Sequence, residues 1–222
     1  MMNRRQLDAI RRKKQLRADE AEHEEEPTIT LSTLARVMGP LSPATLTRLL
    51  AGHKHHAIGP RRSYQKAREQ AISLLTDGTA LTLDAPLRTH EREAIAAMAR
   101  ARLALPSRSR ALRANARLPH WIIGGVRVSM QPDVELDGAR GTGAAKIVLT
   151  KERLPRGVGN AMASLLWHYR RNVLGIESTR RDHCIVFEPR LPWLHLPASR
   201  ADAKLKQAEL ACEIIRAVWP RV

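Results

Sequence analysis

The sequence predicts an α+β fold, with N-terminal helices followed by a small mixed β-sheet flanked by helices. Three changes of pattern carry this prediction. Between Thr28 and Pro106 the apolar residues recur at helical spacing. After Pro119 they alternate with a period of two. From Gly159 the helical period returns, and a last amphipathic helix spans Asp202–Trp219. The predicted order is helices, then β-β-β-α-β-β-α. Of the 222 residues, 43% are hydrophobic, enough for a substantial core. Only 3% are aromatic, so that core rests on Leu, Ile, Val and Ala.

Residues 1–27 read as a charged, disordered arm. Arg4, Arg5, Arg11, Arg12, Lys13 and Lys14 come first, and Asp19, Glu20, Glu22 and Glu24–Glu26 follow. That polarity opposes a helix dipole, and apolar positions are few. Residues 28–88 read as a helical region. From Thr28, the residues Leu31, Leu34, Ala35 and Met38 form a helical stripe ending at Gly39. Ser42-Pro43 supplies an N-cap and a first-turn proline for a second helix, Ala44–Ala51, stopped by Gly52. A third helix runs from Ser63 to Leu75 and ends at Asp77-Gly78.

Residues 89–222 read as the α/β domain. Thr89 caps a fourth helix that stops near Pro106. The stretch HWIIGGVRVSM alternates around Gly124-Gly125, and PDVEL and GAAKIVLTK follow as short strands. Gly159–Leu174 carries the apolar stripe Met162, Leu165, Leu166, Tyr169 and Val173. CIVFEPRLPWLHLP reads as a hairpin turned at Glu188–Pro192.

Net charge is +16. The first 26 residues are balanced, with seven basic and seven acidic side chains, so the excess lies in residues 27–222, with 31 Lys and Arg against 15 Asp and Glu. A body this basic points to a polyanionic partner, nucleic acid and foremost DNA, with an acidic protein as the other reading. No apolar run reaches membrane-spanning length, and the arm lacks the apolar centre of a signal peptide. Cys184 and Cys212 have no metal-type spacing, which suits a reduced, cytoplasmic protein without a membrane partner.

Chemistry concentrates in residues 130–151, MQPDVELDGARGTGAAKIVLTK. Alternation groups Asp133 with Glu135, and Ala144 with Lys146 and Val148, opposite Ala145, Ile147 and Leu149. Asp133, Glu135 and Lys146 are thereby placed to meet at one sheet edge. Carboxylates hold Mg²⁺ or Mn²⁺, the metal activates water, and a lysine stabilises developing charge, which is the set that phosphodiester hydrolysis needs. The alternative is an ordinary hairpin with exposed charges.

The order helix-β-β-β-helix-β, with Pro132-Asp133 on the second strand and Lys146 on the third, resembles the PD-(D/E)XK nuclease-like superfamily over roughly residues 89–187. The resemblance implies a restriction-endonuclease-like sheet, a metal ligand at Asp133 and a catalytic lysine at Lys146. Ala144 stands where the family carries its remaining acid. Either that acid is displaced, to Glu135 or to Glu91 on the preceding helix, or the domain no longer cuts.

A second segment, TLSTLARVMGPLSPATLTRLLAG, resembles the helix-turn-helix of LacI-type repressors. That resemblance implies that Thr45, Thr47 and Arg48 reach the major groove of a DNA operator. The phosphate-contact candidates are Arg61, Arg62, Arg68, Arg108, Arg110, Arg113, Arg170 and Arg171. Each is equally able to be a solvated charge. His53, His55 and His56 lack a zinc-site spacing and read as a basic loop.

Overall fold

A computed structural model describes residues 26–55, 61–78, 89, 91–93, 95–96, 105, 109–114, 118–149, 153–188 and 193–222, with residues 61–64 described as backbone only. N-terminal helices lead into mixed sheets with flanking helices. The chain begins with β1 (Thr28–Thr30), α1 (Leu31–Val37), α2 (Pro43–Lys54) and α3 (Arg61–Thr76). Then come β2 (Ser109–Arg113), β3 (Trp121–Ile123), β4 (Val126–Ser129), β5 (Val134–Gly138) and β6 (Gly141–Ile147). Helix α4 (Arg156–His168) continues as a π turn, Tyr169–Val173. It is followed by β7 (Thr179–Glu188), β8 (Trp193–His195) and α5 (Ala201–Val218).

The strands form two sheets. One has the order β1-β4-β3, with β1 parallel to β4. The other has the order β2-β5-β6-β7-β8. Its β6–β7 pair is parallel, crossing over through α4, and its other pairs are antiparallel. The two faces of this larger sheet feed separate cores. Val134, Leu136, Ala145, Ile147, Ile185 and Phe187 pack with Ala71, Ile72 and Leu75 of α3. On the opposite face Val186 joins α4, α5, α1 and the small sheet, through residues such as Met162, Leu165, Ile215, Leu34 and Val128. The alternation expected along β6 is thus observed. Helices α1 and α3 belong to the two cores that sandwich the larger sheet.

Local chemistry accounts for several boundaries. Thr30 caps α1, accepting from the Thr33 N–H, and Ser42 caps α2, accepting from the Thr45 N–H. Gly124 and Gly125 have φ of 53° and 76°, the paired left-handed turn of a two-residue hairpin, and so split HWIIGGVRVSM into β3 and β4. Gly143 lies so close to the backbone and side chain of His183 that a Cβ there would overlap both. The β6–β7 register shift falls at this point.

Four expectations are corrected. Thr28–Thr30 is a strand rather than the start of a helix, because its backbone pairs with Arg127–Ser129. Helix α2 runs through Gly52 to Lys54, since a single glycine weakens a helix without ending it. The arginine-rich stretch after Pro106 contains β2, the first strand of the larger sheet. The β3–β4 hairpin joins the small sheet instead of continuing into β5. Five strands of the region therefore precede α4 rather than three. The arm, residues 1–25, lies outside the described residues.

Candidate functional site

Pro132 cannot donate to a ladder, so β5 starts late and the pairing with β6 ends at Asp133. Here a side chain takes over from the backbone. The Asp133 N–H donates to Ala145 O at 2.9 Å, and the Ile147 N–H donates to Asp133 Oδ2 at 2.6 Å. Asp133 Oδ1 accepts from Arg68 Nε of α3 at 2.5 Å, and Arg68 Nη2 touches the same oxygen. Lys146 Nζ stands 3.5 Å from Oδ1 and donates a shorter bond, 2.7 Å, to Gln131 O. The carboxylate is fully buried, Lys146 is 20% exposed and Arg68 is 41% exposed. Burial lowers the Lys146 pKa; Asp133 opposes that shift and Arg68 adds to it. The cations face a cleft of about 550 Å³ between α1, α3, β4 and the end of β6.

Glu135 lies opposite Ala144 in the β5–β6 register but is drawn elsewhere. Its carboxylate is bound by Arg170, whose Nη2 also reaches Thr142 Oγ1 at 3.4 Å. Arg170 is delivered by the π turn that extends α4 and is only 4% exposed, against 27% for Glu135. The neighbouring Tyr169 hydroxyl donates to Pro119 O at 2.6 Å. Its pKa is raised by burial first and by Glu135 second.

The hairpin therefore brings Asp133 and Lys146 together and leaves Glu135 to a different cation. Glu91 is buried on a helical residue. Among the described residues no three His, Cys, Asp or Glu side chains gather as a metal-holding group. Mg²⁺ and Mn²⁺ require several hard oxygen ligands. Asp133 offers one carboxylate, already met by a guanidinium, an ammonium and a backbone N–H, so the arrangement does not fit such an ion. Ala144 is fully buried and holds no acid's place open.

The arginines divide by environment. Arg170, expected as a phosphate contact, is an interior side chain bound to Glu135. Arg68 is the partner of Asp133, and no local pattern announces a bond across 65 positions. Arg110 and Arg113 project from edge strand β2, where Arg113 pairs with Glu69 at 2.7 Å. Charges on an edge strand also discourage pairing with other chains. Arg171 is exposed and lies over the Trp167 ring at 5.6 Å. The side chains of Arg61 and Arg62, and all of Arg108, lie outside the described residues.

Thr45, Thr47 and Arg48 are exposed on α2, as groove-reading residues must be. The Thr45 hydroxyl is 2.8 Å from Ser42 Oγ, and Thr47 donates to Pro43 O at 3.0 Å, so both are engaged locally. His53 Nε2 lies 2.5 Å from Thr33 Oγ1 and ties α2 to α1, while His56 lies outside the described residues. Cys184 and Cys212 are buried free thiols, each pushed up to about 12 chiefly by burial. No described helix is long and apolar enough to cross a membrane. No family model, curated protein or solved structure matches the chain.

Proposed function

We propose that the chain is a nucleic-acid-binding protein built on a restriction-endonuclease-like sheet, with an ion-pair network where a nuclease holds its metal. The order of the larger sheet supports the architectural half of this reading. Helical residues near Thr89 precede β2, β5, β6, α4 and β7, with Pro132-Asp133 at the second strand and Lys146 on the third. One observation carries the functional half: the Asp133 carboxylate is satisfied by Arg68, Lys146 and the Ile147 N–H, and among the described residues no three His, Cys, Asp or Glu side chains gather around a metal position. The network presents cations to the cleft, and the body carries the charge excess that polyanion binding uses.

Fluorescence anisotropy with DNA and RNA oligonucleotides, across a salt series, tests this reading. Association that weakens steeply with salt is expected. So is intact nucleic acid after incubation with Mg²⁺ or Mn²⁺. Salt-insensitive or absent binding overturns the nucleic-acid reading. Metal-dependent cleavage that Lys146→Ala abolishes overturns the non-cleaving one. A second reading, a DNA-binding regulator acting through residues 30–51, draws on the exposure of Thr45, Thr47 and Arg48. It requires that sequence-specific duplex binding be lost in Arg48→Ala.

A further inference from the structure

A second cavity, of about 570 Å³, adjoins the cleft beside Lys146. The two share the lining residues Arg36 and Leu154, so they lie side by side between the end of β6 and the start of α2. The second cavity has a largely apolar floor, including Leu41, Leu49 and Leu154. Two guanidiniums stand on its walls. Arg36 ends α1, and Arg153 precedes α4; both are exposed, and neither is in an ion pair among the described residues. Arg153 lies 4.9 Å over the ring of Trp193, itself 40% exposed.

Among the described lining residues of the two cavities the sole carboxylate is Glu69, which is committed to Arg113. Helices α2 and α4 both begin at the second cavity, through Thr45 and Pro155. Neither has an acid in its first turn; Ser42 caps α2, and the Glu188 carboxylate accepts from the Leu154 N–H at 3.0 Å just before α4. Burial lowers the pKa of the nearby His195; Glu188 opposes that shift, and Arg153 and Arg156 add smaller lowering effects.

Flat apolar surface beside paired guanidiniums suits one ligand class. Bases need an apolar or aromatic surface, and phosphates need Arg. A duplex hides its base faces within the stack; a single strand exposes them. We propose that this groove seats a single-stranded nucleic acid, with phosphates on Arg36 and Arg153 and bases against the apolar floor. The inference rests on the nucleic-acid-binding reading and adds where the strand lies and in what form.

The test is anisotropy of a labelled oligothymidylate and an oligouridylate of about 15 nucleotides, with the matching duplex as competitor. The full chain is compared with Arg36→Gln/Arg153→Gln. The control is Arg140→Gln/Arg181→Gln, equal in charge and at the opposite end of the larger sheet. The groove variant is expected to bind the single strand about ten-fold more weakly, with a salt slope shallower by about 1.4, since each phosphate contact contributes about 0.7 on single strands. The control is expected to change less than about three-fold, and Arg36→Lys/Arg153→Lys to recover most of the affinity, because charge is kept. Equal losses in both glutamine variants, or duplex preferred over single strand, overturn the groove while the nucleic-acid reading stands. No binding of any nucleic acid by the unaltered chain removes both. A thermal melt of each variant separates lost contacts from lost fold.

Discussion

Asp133, just before β5, and Glu135, on it, sit two residues apart, yet they illustrate opposite ways of holding a charge inside a protein. At Asp133 the carboxylate is buried and its cations are partly exposed: Arg68 at 41% and Lys146 at 20%. At Glu135 the exposure is reversed, for Arg170 is 4% exposed and the carboxylate 27%. In each pair the more exposed member can be rehydrated if its partner is lost, and the buried member cannot. The first site therefore shows positive charge to the cleft. The second is closed around its arginine and reads as structural.

The comparison breaks most visibly if the exposed carboxylate is removed. Glu135→Ala strands Arg170 and is expected to lower unfolding free energy by about 3 kcal/mol. Glu135→Leu/Arg170→Met is expected to recover most of that loss. Urea denaturation reads both, and a cost for Glu135→Ala under about 0.5 kcal/mol, the range of ordinary surface changes, would show that Arg170 does not need it. The parallel change at the other site is milder. Arg68→Ala leaves Asp133 with Lys146 and the Ile147 N–H, so about 2 kcal/mol is expected, the range of a hydrogen bond to a charged group. Adding Lys146→Met should then cost more than the sum of the two single changes, because the two cations share one oxygen. Strict additivity would deny the network.

Smaller effects follow pH. The folded Lys146 pKa is lowered, so between that depressed value and 10.5 the unfolded chain binds the extra proton. Stability from this group rises with pH through the window. A pH series of the difference in stability between the wild type and Lys146→Met should drift in favour of the wild type. The two thiols act in the other direction. Their pKa rises from 9.0 to about 12 on folding, so the folded chain keeps protons that the unfolded chain releases. Stability is expected to fall as pH climbs from 9, and less so in Cys184→Ala/Cys212→Ala. Smallest of all, native protein is expected to react slowly with a thiol-specific reagent, at a rate that rises on unfolding in urea.

The elements legible in the sequence were those whose signals are local. Gly124-Gly125 gives away its hairpin, Ser42-Pro43 its helix start, and the stripe of Met162, Leu165, Leu166 and Tyr169 its buried helix. Strand β2 was hidden because Ala111 is its single buried residue, so arginines at an edge mask any alternation. Strand β1 was hidden because three residues carry no period. At the candidate site, alternation placed Asp133 beside Lys146. The partners that decide its chemistry, Arg68 and Gln131 O, come from segments related to it by packing rather than by spacing. The same holds for Arg36 of α1 and Arg153 of the segment before α4, which line one cavity with no shared motif.

The short strand β1 also bears on how the molecule comes into being. Thr28 pairs with Arg127, and Thr30 with Ser129, so the first strand waits for its neighbour until more than half of the chain exists. Contacts so distant in sequence close late, after the entropy of a long loop has been overcome. During synthesis on the ribosome, Leu31 and Leu34 of the adjoining helix lack their mature surroundings until β4 emerges. Any nascent chain stalled before Val126 would leave this apolar start uncovered, making it a natural landing place for a chaperone.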